Sequence, residues 1–182
     1  IKKIINNFID KNDVSHIKFI WFDNNKKKYG LSKNYEKNIY YSEDIFPHIF
    51  SILFNNKFGS TKLEFLSFNI KNKIEYLSFN YNKIKIEVQC SNKINKSVRK
   101  IVLNRNKKVI GQVKVLGKYF YVNDNIRNTN TKFHKKLNTL TRQYKYLLNQ
   151  KNIKEFKNLC YHQILYQNHL YKLCKKSQLK FL

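Results

Sequence analysis

The segment Leu63-Glu64-Phe65-Leu66-Ser67-Phe68-Asn69 is nearly restated eleven residues later as Ile74-Glu75-Tyr76-Leu77-Ser78-Phe79-Asn80. That period is too short for a helical solenoid unit. Two similar strand sequences separated by Ile70-Lys71-Asn72-Lys73 predict an antiparallel hairpin whose aromatic residues pair across the strands. Ile84, Ile86 and Val88 then alternate strictly with Lys85 and Glu87, the period of a strand with one buried and one wet face. Val98 to Leu103 continues as a fourth strand.

After the polar turn Asn104-Arg105-Asn106-Lys107-Lys108, the apolar residues Val109, Ile110, Val113 and Leu116 fall on one face of a helix. The valines and Gly111 also allow a strand. The helix is the reading taken, with Lys108, Gln112, Lys114 and Lys118 facing outward. Strands covered by one helix form an α+β sandwich.

Upstream, Val14 to Phe22 is dense in β-branched and aromatic residues and is closed by Asp23-Asn24-Asn25-Lys26, a strand and turn. Asn38 to Tyr41 reads as a second short strand. Ser42 before Glu43-Asp44 resembles a helix cap, and Ile45, Ile49, Ile52 and Leu53 recur at helical spacing up to Gly59, with Pro47 in the opening turn. Beyond the polar connector at residues 123–131, Phe133, Leu137, Leu140, Tyr144 and Leu147 step by threes and fours. Ile153, Phe156, Cys160, Ile164 and Leu170 do so again, so two amphipathic helices are expected, split near Asn149 to Asn152. Lys132, Lys135, Lys136, Arg142, Lys145, Lys151, Lys154 and Lys157 occupy their other faces.

The expected fold class is therefore α+β. Two small domains, residues 1–59 and 60–122, each place antiparallel strands on one helix, and residues 123–182 form a basic helical extension.

Charge sharpens this division. Residues 1–87 hold 15 basic and 9 acidic residues, whereas residues 88–182 hold 22 basic residues and only Asp124 and Glu155, so +20 of the net +26 lies in the second half. A half-chain of that kind repels itself until a polyanion neutralises it, and nucleic acid is the expected partner. Codon usage contributes to the lysine count. The chain has no Ala or Met, and Ile, Asn, Lys, Phe and Tyr dominate. These residues need only A and T in their codons, so the gene is expected to be extremely AT-rich, of the kind found in mitochondrial or plastid genomes and a few protists. An unusual start codon or trimming would account for the missing initiator Met. No apolar run reaches the roughly 20 residues of a membrane span, because Ile45 to Phe54 is interrupted by Pro47, His48 and Ser51.

Catalytic signatures are not found. Glycines at 30, 59, 111 and 117 cannot form a phosphate-binding glycine motif, and H-E-x-x-H, paired C-x-x-C and nucleophile-elbow patterns do not occur. Glu64, Glu75 and Glu87 lie on predicted strands, where pairing with nearby lysines is their ordinary fate. Cys90, Cys160 and Cys174 form no disulfide framework and imply a reducing compartment. Cys160, His162, His169 and Cys174 have a spacing suggestive of zinc, but on a helix His162 lies about 160° from Cys160, which argues against one metal taking both. The expectation is a binding protein with no metal, cofactor or small-molecule substrate.

One family shares the pattern. Lys73-Ile74-Glu75-Tyr76-Leu77-Ser78-Phe79-Asn80-Tyr81-Asn82-Lys83-Ile84-Lys85-Ile86-Glu87-Val88 resembles the K-L-x-L-x-L-G-Y-S-H-P-V-x-I-x-V passage of the sixth protein of the large ribosomal subunit. Lys100 to Val113 is similar to that family's I-x-V-x-G-x-D-K-Q-x-V-G-x-x passage, with Asn106 where Asp is usual, and Gly59 to Phe68 resembles its first strand after the inter-domain helix. The resemblance covers roughly residues 44 to 117. It implies two similar α+β domains and a structural role on large-subunit rRNA near the sarcin-ricin loop and the site where translation factors dock. The family's proline- and glycine-rich loop is replaced by Gly117-Lys118-Tyr119-Phe120-Tyr121-Val122.

The expected contacts with rRNA are Arg99, Lys100, Arg105, Lys107, Lys108, Lys114, Lys118, Tyr119, Tyr121, Arg127, Lys132, Lys135, Lys136 and Arg142. Lysines and arginines would meet phosphates, and tyrosines would stack on bases or riboses. Neighbouring mitoribosomal proteins are expected along the extension, in the mitochondrial matrix. The alternative expectation is an organellar scaffold subunit whose C-terminal helices bind proteins or an anionic membrane surface.

Overall fold

The computed structural model describes residues 2–24, 40–53, 62–95, 97–114, 119–122, 125–128 and 150–178. Two-residue Asn-Lys turns organise the sheet. Asn72 and Lys73 have φ of 52° and 64°, and Asn106 and Lys107 have φ of 47° and 68°, the left-handed backbone that a tight hairpin needs at both central positions. Asn82, at φ 55°, opens a third Asn-Lys turn, in which Lys83 is not left-handed. Asparagine adopts this conformation more readily than most residues. In a chain with four glycines, Asn-Lys serves where Asn-Gly is usual.

These turns join β2 (Leu63–Lys71) to β3 (Ile74–Tyr81), β3 to β4 (Ile84–Ser91), and β5 (Val98–Arg105) to β6 (Lys108–Lys114). β7 (Tyr119–Val122) and β8 (Asn125–Asn128) extend the second meander. The predicted hairpin forms, with Leu63 opposite Tyr81 and Lys71 opposite Ile74, and a bulge between Phe65 and Ser67. The expected helix from Val109 is instead β6, because Asn106-Lys107 folds the chain straight back onto β5. Phe8 packs closely over Gly111, where a Cβ would lie 3.1 Å from Cζ of the ring.

β1 (His16–Phe22) joins the two meanders. It runs parallel to β4, with Phe19 opposite Val88, and antiparallel to β5, with Phe19 opposite Ile101. One eight-stranded sheet results, in the order β2-β3-β4-β1-β5-β6-β7-β8. The α+β class is therefore as expected, but residue 59/60 is not a boundary in the sheet. A strand from the first predicted unit satisfies edges left by two strands of the second.

Three helices form one layer on one face of this sheet. α1 (Lys2–Lys11) buries Ile5 and sets Phe8 over Gly111 and Leu103. α2 (Tyr41–Leu53) buries Ile45, Phe46, Ile49, Phe50 and Leu53. Tyr41 is its first residue, which corrects the strand expected to end there; residues 38 and 39 of that expectation, and Gly59, lie outside the described residues. The cap also differs from expectation. Glu43 Oε2 accepts the Tyr40 amide at 3.1 Å, while the Glu75 carboxylate from β3 accepts the Tyr41 and Ser42 amides at 3.0 and 2.7 Å. A carboxylate suits the positive end of the helix.

Pro47 is the seventh residue of α2 rather than part of its opening turn, so the Glu43 carbonyl receives no helical hydrogen bond from it. Gln167 Nε2 of α3 (Gln150–Gln178) donates to that carbonyl at 2.9 Å. The group orphaned by proline thus docks the neighbouring helix. α3 also places Tyr166, Leu170 and Cys174 in the core, with the Tyr166 ring 5.7 Å from that of Phe50. Of the Ile153, Phe156, Cys160, Ile164 and Leu170 stripe expected from the sequence, Leu170 is buried as expected and Cys160 is half-buried. Ile153, Phe156 and Ile164 are exposed. The expected helix at 133–147 lies outside the described residues. No described helix is long and apolar enough to cross a membrane.

Candidate nucleic-acid interface

Alternation along the strands assigns each side chain to a face. Ile17, Phe19 and Trp21 of β1 lie under the helices, with Phe79, Leu77, Ile86 and Val88 on one side and Leu103 and Ile101 on the other. Their sequence neighbours form the opposite face, which none of the described helices covers. Three polar rows cross it. One runs Tyr76, Gln89, Ile20, Lys100, Lys114; the next Ser78, Glu87, Lys18, Val102, Gln112; the third Asn80, Lys85, His16, Asn104. Ser67 and Ser78 share a hydroxyl hydrogen bond of 2.7 Å there.

Two like-charge pairs lie on the β5–β6 hairpin. Lys100 is directly opposite Lys114, and Arg105 is directly opposite Lys108, with Lys107 exposed in the turn between the latter two. Like charges in direct cross-strand register are destabilising, by an amount within about 0.2–1 kcal/mol for such pairs. A bound polyanion removes that cost and gains from the concentrated charge. Five of the expected contact residues, Lys100, Arg105, Lys107, Lys108 and Lys114, are thus brought onto one hairpin, with Lys100 and Lys114 on the uncovered face and Arg105 and Lys108, by strand alternation, at the turn end of the other face.

Arg99 is not among them. It pairs with Trp21 in register, on the helix side of the sheet. Its Nε and Nη2 donate to Oδ1 and Oδ2 of Asp23 at 3.0 and 2.6 Å, and its guanidinium carbon lies 4.5 Å from the centre of the Trp21 ring. Tyr41 Oη donates to the same carboxylate at 2.6 Å. Burial, then the hydrogen bond to Asp23, pushes the Tyr41 pKa far up, so the hydroxyl stays a donor. A planar guanidinium that gives two N–H groups to a carboxylate and its face to an indole is held on the helix side, half-buried.

Lys118, Lys132, Lys135, Lys136 and Arg142 lie outside the described residues. Tyr119 and Tyr121 fall on β7 and Arg127 on β8; in backbone register Tyr121 pairs with Gln112, Tyr119 with Asn128 and Arg127 with Phe120. Sequence reasoning missed His16, Lys18, Lys85, Gln89 and Tyr76 on the uncovered face. The signal was present in β1, where His16, Lys18 and Ile20 alternate with Ile17, Phe19 and Trp21.

Glu87 is the acid at the centre of this face. Lys85 Nζ reaches it at 2.9 Å, and His16 Nε2 lies 3.2 Å away, an ion-pair distance rather than an aligned hydrogen bond. The Lys85 hydrogen bond first, then the charges of His16, Lys85 and Lys18, hold its pKa below the ordinary glutamate value against partial burial. A depressed acid stabilises the fold above its unfolded pKa of about 4.3 and loses that contribution as pH falls through the folded value. Glu87→Gln is therefore expected to lower the denaturant midpoint at pH 7, with the deficit vanishing in acid. An equal deficit at pH 7 and pH 3 contradicts this account.

Cys160, His162, His169 and Cys174 all lie on α3, and among the described residues no group of three His, Cys, Asp or Glu is placed to hold a metal ion. The Cys174 thiol is pushed up to about 12 by burial first, then by the charges of Glu43 and Glu75.

Together these features define an α+β protein with a helix layer on one side of a mixed sheet and a cationic hairpin beside its uncovered side. No protein-family model and no curated protein matches the chain. Among solved structures, it is similar in fold to a dehydrogenase, MviM, from Clostridium difficile, at a TM-score of 0.56 and 10% identity. The match covers 97% of this chain and 58% of the dehydrogenase chain. At that identity the likeness is one of fold.

Proposed function

We propose that the chain is a structural RNA-binding protein of an organellar, mitochondrial large ribosomal subunit, with no catalytic role of its own. The observation that carries this reading is the pair of opposed cations on the β5–β6 hairpin, Lys100 with Lys114 and Arg105 with Lys108, in the half of the chain that holds +20 of its charge. The sequence passages similar to the sixth large-subunit protein lie on β3, β4, β5 and β6. That similarity supports an rRNA site near the sarcin-ricin loop. Phosphates meet the hairpin lysines and arginine, and the polar rows beside it hold the RNA backbone in register.

The outward face of α3 presents Ile153, Phe156, Tyr161, Ile164 and Tyr171 to solvent. Contiguous apolar surface of this kind favours a protein neighbour, which suits a ribosomal protein bound along the same helix. A scaffold subunit outside the ribosome would use that face too, and sedimentation separates the readings.

Tagged protein is expected to co-migrate with large ribosomal subunits on a gradient; co-migration with a membrane complex overturns the ribosomal reading. Binding to large-subunit rRNA should weaken steeply with salt. Replacing Lys100, Lys108 and Lys114 by Gln should reduce the slope of log affinity against log salt by about 2, three contacts at about 0.7 each. A salt-indifferent affinity, or an unchanged slope, overturns the assignment of phosphates to the hairpin.

A further inference from the structure

On the far edge of the sheet from the cationic hairpin, β2 and the C-terminal part of α3 enclose an open groove of about 510 Å³. Its floor is apolar: Leu63 is buried, and Phe65 and Leu173 are half-buried. Its rim is cationic, with Lys62 at the start of β2 and Lys172 and Lys176 one turn apart on α3, beside His169. Glu64 is the single acid lining it. Among the described residues none of the three lysines pairs with a carboxylate. Among the described residues β2 is an edge strand, hydrogen-bonded to β3 alone, so its other edge holds main-chain donors and acceptors outside the described ladder.

We propose that this groove receives one unpaired nucleotide of an RNA strand. An apolar floor with an aromatic edge accepts a base in a way a phosphate alone does not need. Three cations and a histidine around it match the two phosphates that flank such a nucleotide, and the excess of cations over Glu64 argues against an acidic side chain's lone charge as the natural occupant. Free main-chain groups on β2 supply hydrogen bonds to the base edge. The site lies on the β2 edge, with β3, β4 and β1 between it and the β5–β6 hairpin, so the chain holds RNA at two separated points. This inference rests on the RNA-binding reading above and assigns to it a second site with its own specificity for single-stranded RNA.

The test uses the full chain with a uridine-rich octamer carrying one 4-thiouridine. Ultraviolet cross-linking and mass spectrometry should find the label on the peptides of β2 or of residues 169–176. Lys172→Gln with Lys176→Gln, both exposed and so compatible with folding, should lower the salt slope for the octamer by about 1.4 and leave that for a blunt RNA duplex unchanged. An unchanged melting curve verifies that the double variant folds. Cross-links confined to β1, β5 and β6 overturn the groove and leave the ribosomal reading in place. Failure of the parent chain to bind either octamer or rRNA overturns both. Competition by a decaglutamate as strong as that by unlabelled octamer overturns the nucleotide assignment in favour of an acidic protein segment.

Discussion

Replacing Arg99 with alanine is expected to lower the melting temperature by about 6–12 °C, from about 3 kcal/mol of lost stability at about 2–4 °C per kcal/mol for a chain of this size. The cause is local. Asp23 is buried, and the two Arg99 hydrogen bonds at 3.0 and 2.6 Å are the charged ones that offset the removal of its carboxylate from water. The variant takes both guanidinium hydrogen bonds from that carboxylate, to which Tyr41 Oη also donates, and removes the cation from the Trp21 face. The two side chains are 22% and 12% exposed, so solvent screens the pair only in part. Affinity of the folded variant for rRNA, measured well below its melting temperature, should match that of the parent. A variant with normal melting and impaired RNA binding restores Arg99 to the interface and contradicts its role on the helix side.

Phe46→Ala should cost about 3–5 kcal/mol, the range for truncating a fully buried phenylalanine in a core that cannot collapse around the cavity. Phe46 has no exposed surface, and its ring centre lies 5.9, 5.6 and 6.0 Å from those of Phe50, Phe65 and Phe79. It therefore joins α2 to β2 and β3 at once, and no single neighbour can move to fill the space. Phe46→Leu should recover most of the loss, since it retains most of the volume. Urea unfolding reads both; a loss below about 1 kcal/mol for the alanine variant would show that the helix layer repacks without this ring.

Much of the sheet was legible because strand alternation is local. β4 follows from residues two apart, β1 from a run of β-branched and aromatic residues, and the hairpin of β2 with β3 from a near-repeat around an Asn-Lys turn. β6 was misread because Val109, Ile110, Val113 and Leu116 satisfy helical spacing, and the deciding feature was the turn before it. Asn106-Lys107 is the same turn chemistry as Asn72-Lys73. The candidate site was legible in part for a related reason. Charge counts identified the basic half, and five hairpin residues proved to be neighbours, but counts carry no information about faces. Arg99 and Lys100 are adjacent in sequence and point to opposite sides of the sheet.

The groove by β2 was beyond sequence reasoning altogether, since Lys62 and Lys176 meet only through the docking of α3. That docking combines burial of Tyr166, Leu170 and Cys174 with the hydrogen bond from Gln167 to the carbonyl left free by Pro47, contacts between residues separated by most of the chain.

By itself, then, the sequence determined the α+β class, the strand alternation and the concentration of charge after residue 87, because each is a property of neighbouring residues or of composition. The tertiary structure decided that β1 joins two meanders into one sheet, that Arg99 is held on the helix side, and that α3 belongs to the core. Each of these depends on pairings between distant segments, whose free energy comes from burial and hydrogen bonding across the fold and leaves no periodic trace in the chain.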